Sequence, residues 1–175
     1  MREAVERLAP RSIALNYSES DPAADGLTHG LWLNLQEALA GTPYVDRLVS
    51  SEAIVNALRG RKSPEEVGRI RGAVQATEEI FERVGAKLEP GQSELAIASV
   101  VHADVAARGL GYAWEREHCP AVNAGPDKEV GHSAPGDLRT RRGELLHMDF
   151  GVSRDDYCSD LQRVWYLLAD GEETP

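Results

Sequence analysis

From Ser63 to Leu88 the apolar positions Val67, Ile70, Val74, Thr77, Phe81, Val84 and Leu88 recur at alternating three- and four-residue steps. That period is one stripe of an amphipathic helix, and core packing is its expected role. Ser63 at the N-cap, Pro64 at the first helical position and Glu66 three residues on form a capping box that fixes the start. Glu89-Pro90-Gly91 ends the helix, and Ser93-Glu94 opens a second one reaching about Arg108, stopped by Gly109 and Gly111. From Tyr112 onward the period changes to two. Strands are expected over residues 112–117, 121–123, 144–152 and 157–168, the last rich in β-branched and aromatic side chains, with a Gly/Pro/Asp-rich loop before the final pair.

The first sixty residues look like a separate unit. A strand over 12–17, a loop over 20–26, a helix over 27–40 ending at Gly41, a short edge strand over 47–50 and a helix from Ser51 to Leu58, stopped by Gly60, follow one another. Arg61-Lys62-Ser63 marks the boundary, giving domains 1–60 and 61–175. Two helices followed by antiparallel strands predict an α+β architecture with the helices on one face of the sheet.

The last two strands carry the chemistry. Ser153-Arg154-Asp155-Asp156 is turn material. With the turn centred between Arg154 and Asp155, Val152 lies opposite Tyr157 and Asp149 opposite Asp160. Like charges placed so are destabilising at Cβ separations of about 4.5–5.5 Å, and a compensating cation or shared proton is the usual remedy. One face then gathers His147, Asp149 and Gly151 against Cys158, Asp160 and Gln162; the other is mostly apolar, with Leu146, Met148, Phe150 and Val152 against Tyr157, Ser159, Leu161 and Arg163. A metal site and a pair of surface acids on a wet hairpin face both fit this pattern.

His132, in Gly131-His132-Ser133-Ala134-Pro135, sits in loop sequence beside the strands, where binding residues tend to lie; an exposed or turn-capping histidine is the plainer alternative. His147 shares a face with Asp149 and is a lesser candidate; His29, His102 and His118 are weaker still. Cys119 and Cys158 form no disulfide framework, and Cys158 is expected as a small, semi-buried residue beside the carboxylates.

Composition narrows the class. The 175 residues are 42% hydrophobic and 27% charged, as in soluble globular proteins. A net charge of −10 argues against nucleic acid or an anionic membrane as partner. No apolar run approaches the roughly 20 residues that span a bilayer. The N-terminus lacks a signal-peptide core, so a reduced cytoplasmic location is expected.

The string Asp149-Phe-Gly-Val through Tyr157-Cys-Ser-Asp160, with Arg163 beyond, resembles the first metal-ligand hairpin of the pita-bread metallopeptidases, the family of aminopeptidase P, prolidase and methionine aminopeptidase. Asn123-Ala-Gly-Pro and His132 resemble its substrate-site histidine segment. The capped helix resembles the start of the catalytic domain in the Xaa-Pro branch, so that 61–175 is expected as the first half of a pita-bread domain, and Asp25-Gly-Leu-Thr-His and Arg47-Leu-Val-Ser-Ser resemble the C-terminal part of its creatinase-like N-terminal α/β domain.

The resemblance implies that Asp149 and Asp160 ligate a pair of divalent ions (Mn, Co or Zn), that His132 hydrogen-bonds substrate or oxyanion, and that the substrate is a peptide with proline second or an Xaa-Pro dipeptide. It implies a homodimer when intact. It also implies that the remaining ligands, a histidine and a pair of glutamates, come from the later part of the domain, past Pro175. The chain is thus expected to be a fragment holding half a metal site, weak in metal binding and inactive alone. Gln162 stands where many members have threonine. A non-catalytic pita-bread module binding a peptide or protein is the main alternative, and a metal-free hydrolase like creatinase a third; both leave the two aspartates unexplained.

Overall fold

The computed structural model describes residues 1–127 and 133–173. They fall into two compact units, Met1–Lys62 and Ser63–Pro175.

The first unit contains α1 (Arg2–Leu8), β1 (Ile13–Leu15), α2 (His29–Leu39), β2 (Leu48–Ser50) and α3 (Glu52–Gly60). β1 and β2 are parallel, Ile13 beside Leu48 and Leu15 beside Ser50. Parallel neighbours need a crossover, and α2 supplies it. Thr28 caps α2 by accepting from Leu31 N. The interior is small: Ala24 and Leu39 are fully buried, and the Trp32 ring meets Tyr17 edge-on at 5.5 Å. The charged α1 buries nothing and has no apolar period to announce it.

The second unit starts where its caps require. In α4 (Pro64–Gly85) Ser63 Oγ accepts from Glu66 N, and Glu66 Oε2 accepts from Ser63 N. Ser93 caps α5 (Glu94–Ala107) through Ala96 N. The buried line on α4 is Ala73, Ala76, Thr77, Ile80, Phe81 and Val84. It is turned slightly from the expected stripe: Val67 is exposed, while Ile80 and two alanines take contact positions.

Six strands follow: β3 (Gly111–Tyr112), β4 (Ala121–Ala124), β5 (Glu144–Phe150), β6 (Val152–Arg154), β7 (Tyr157–Cys158) and β8 (Leu161–Leu167). They form two antiparallel sheets ordered β3-β6-β7 and β4-β5-β8. The β5–β6 and β7–β8 segments are the arms of one long hairpin. Leu146, Met148, Phe150 and Val152 alternate inward and are fully buried in one core with Ile80, Phe81, Val84, Val101 and Val105 from the helices. Each such side chain contributes about 1.5–3 kcal/mol on burial. The strand expected over 112–117 shortens to β3, because the polar run behind it turns instead into a 3-10 helix, Arg116–His118. Among the described residues no helix is long and apolar enough to cross a membrane.

Candidate metal centre

The hairpin turn corrects the register. Asp155 and Asp156 have φ of 51° and 65°, so the two central residues both occupy the left-handed region of a type I′ turn. Aspartate tolerates that region and arginine resists it, which moves the turn centre one residue beyond the Arg154–Asp155 position expected from sequence. Tyr157 therefore pairs with Arg154, not Val152. Asp149 pairs with Gln162, not Asp160. A one-residue shift of the centre moves every pair by two positions, so each side chain keeps its face.

Asp149 and Asp160 become diagonal neighbours, a relationship that in a regular ladder spans roughly 7–8 Å. Both aspartates line one cleft of about 440 Å³, together with Trp114, Glu115 and His118. Direct opposition would have pressed the two charges together; the diagonal relieves that and leaves space between them. Trp114, Glu115 and His118 escape a strand-based reading because the chain after β3 bends at Trp114 and enters the 3-10 helix Arg116–His118. Trp114 Nε1 donates to His118 O at 2.8 Å, which closes that segment into a lip of the cleft.

The two carboxylates are held differently. Asp149, only 6% exposed, sits near the end of β5 between Ala121 of β4 and Gln162 of β8. Gln162 Nε2 donates to Asp149 Oδ2 at 3.2 Å. Gln162 Oε1 meets His147 Nε2 at 3.1 Å, and His147 Nδ1 meets Asn123 Oδ1 at 3.1 Å. A polar row thus runs across three strands and ends on the buried carboxylate. Parity places Gln162 on this face; only the true register makes it the partner of Asp149. Asp160 is exposed and lies in the two-residue gap between β7 and β8.

Cys158 is exposed rather than semi-buried, whereas Cys119 is fully buried; both are free thiols. Burial pushes the Cys119 thiol above its ordinary range. His132 lies outside the described residues. A second, more apolar cleft of about 530 Å³ lies on the same sheet, with His147, Leu145 and Val164 among its walls.

Carboxylate oxygens suit hard divalent cations, so the donor chemistry of Asp149 and Asp160 fits a metal. It fits as a partial set: among the described residues no three His, Cys, Asp or Glu side chains gather to hold an ion.

Metallopeptidase family M24 matches residues 68–175. The chain belongs to that family. As an M24 chain it is 25% identical over 140 residues to the uncharacterised peptidase YqhT of Bacillus subtilis, covering 80% of this chain and 38% of that protein. An Xaa-Pro dipeptidase from Bacillus anthracis superposes with a TM-score of 0.70 at 20% identity, over 96% of this chain and 43% of its own. An X-Pro aminopeptidase from Thermotoga maritima gives 0.66 at 22% identity, over 93% and 42%. These structural likenesses are of fold: the helices and sheets follow the pita-bread arrangement of aminopeptidase P and prolidase. The M24 chain spans well under half the length of these relatives.

Proposed function

We propose that this chain carries part of the active site of a metal-dependent peptidase that releases an N-terminal residue from in front of proline or splits an Xaa-Pro dipeptide. The observation that carries the proposal is the convergence of Asp149 and Asp160 on one cleft of an M24 chain. Residues 1–60 are proposed as part of a creatinase-like N-terminal domain, a reading supported by the parallel β1–β2 pair joined through α2.

Asp149 and Asp160 are the residues that hold divalent ions, Mn, Co or Zn. When bound, such ions polarise a carbonyl and lower the pKa of a coordinated water. Gln162 keeps the Asp149 carboxylate aimed into the cleft, and His147 and Asn123 keep Gln162 in place. Trp114 walls the cleft against water on one side. The apolar cleft bounded by Leu145 and Val164 offers a surface for a substrate side chain. His132 is assigned a hydrogen bond to the substrate or to the developing tetrahedral oxyanion, the latter role worth about 3 kcal/mol when well aimed.

The test is a peptide panel applied to the protein expressed from its full reading frame. Hydrolysis of Xaa-Pro peptides in preference to matched Xaa-Ala peptides, lost in Asp160→Asn, is expected. Equal turnover of both sets overturns the proline assignment. Tight peptide binding without hydrolysis favours a non-catalytic module instead.

A further inference from the structure

Asp160 poses a structural problem. It is exposed, it belongs to neither flanking strand, and among the described residues no side chain bonds to its carboxylate. It nevertheless lines the same cleft as the buried Asp149, and its backbone is anchored from one side. The preceding residue supplies the hold. Ser159 is 3% exposed; its N–H donates to Val152 O at 3.0 Å, and its Oγ accepts from Val152 N at 2.9 Å. The Ser159 carbonyl lies against the bare Cα of Gly151, where any Cβ would overlap it. The same Oγ meets Thr77 Oγ1, from a fully buried position on α4, at 2.7 Å.

We propose that Thr77 is a positioning residue for the metal centre. Its hydroxyl, paired with that of Ser159, ties the peptide just before Asp160 to helix α4 and so aims Asp160 toward Asp149. This inference rests on the metal-binding function proposed for the two aspartates. The chemistry favours a tether over filler: a hydroxyl in a stripe otherwise made of Ala, Ile, Phe and Val is costly to bury unless bonded, and valine would fill the same volume. Groups that orient metal ligands without touching the ion typically control 10–100-fold in metal affinity.

The experiment is a Mn²⁺ titration, followed by calorimetry, of the protein from its full reading frame and of the variants Thr77→Val, Thr77→Ser, Ser159→Ala, Asp160→Asn and Val101→Ala. Thr77→Val and Ser159→Ala are expected to weaken Mn²⁺ binding by about 10-fold or more, while Thr77→Ser, which keeps the hydroxyl, restores it. Val101→Ala removes buried volume from α5 away from the tether; it lowers the unfolding midpoint of the metal-free protein and leaves Mn²⁺ affinity unchanged. Wild-type affinity in Thr77→Val, with Asp160→Asn impaired, overturns the tether and leaves the metal site standing. Equal weakening by Thr77→Val and Val101→Ala overturns it too, as a mere loss of stability. Wild-type affinity in Asp160→Asn overturns the metal assignment, and the tether's role with it.

Discussion

Gln162 faces Asp149 across the β5–β8 ladder and donates its Nε2 hydrogen to Asp149 Oδ2 at 3.2 Å. Gln162 is itself braced by His147, which is braced by Asn123. The amide is therefore positioned to orient a carboxylate that is already largely out of water.

Gln162→Leu removes that donor while keeping bulk on the strand. Metal affinity should fall about 10-fold or more, and the protein should lose about 1–3 kcal/mol for the buried carboxylate's missing bond. Metal titration and urea unfolding measure the two effects. An unchanged affinity would show that Gln162 does not orient Asp149.

Glycines at two places should respond with opposite signs. At Gly151 a Cβ would overlap Ser159 O and approach Ala113 Cβ to 2.9 Å, so Gly151→Ala should cost about 3 kcal/mol, at the upper end for overpacking. At Gly68, exposed on α4 with nothing within 4 Å of the added Cβ, alanine should stabilise by roughly 0.8–1 kcal/mol through helix propensity. Urea unfolding of the two variants checks both signs.

Glu94 is fully buried at the start of α5 and accepts from Ala124 N at 3.0 Å and from Gly136 N at 2.8 Å. Its carboxylate joins the end of β4 to Gly136, which lies within the segment between β4 and β5. Glu94→Gln sets an amide donor against one of those N–H groups, and about 1–3 kcal/mol should be lost. Hydrogen exchange at Ala124 and Gly136 should accelerate, whereas that of the β6–β7 amides should not.

The two thiols should separate cleanly by reactivity. Burial raises the Cys119 pKa, so less thiolate is present at neutral pH and the reagent has no path to it. Cys158 is exposed. A chromogenic disulfide should label Cys158 in the native protein and Cys119 only on unfolding, read by peptide mapping, with Cys158→Ser removing the native label at that position.

Much of this molecule is legible in its sequence because local rules and burial agree. The Ser63–Glu66 box starts α4 where its residues say, and the alternation of Leu146, Met148, Phe150 and Val152 turns one hairpin face into the core. The pairing of Asp149 departs from the expected one because register depends on a single turn. Asp155 and Asp156 accept positive φ, and that preference, rather than the midpoint of the polar stretch, sets the partner. The shift preserves parity, so both aspartates reach the same cleft. The lip formed by Trp114, Glu115 and His118 was not legible, since a 3-10 turn has neither a period of two nor one of 3.6. Thr77 sat in the apolar stripe as if it were packing, because nothing local reveals a hydroxyl partner 82 residues away.

The most direct measurement is hydrolysis of an Xaa-Pro peptide by the protein from its full reading frame, assayed as purified, after exhaustive chelation, and after adding back Mn²⁺, in wild type and in Asp149→Asn. The expected result is loss of turnover on chelation, recovery with Mn²⁺ in wild type, and no recovery in Asp149→Asn. Undiminished hydrolysis in the chelated protein, or full recovery in Asp149→Asn, would contradict a metal centre built on Asp149 and Asp160.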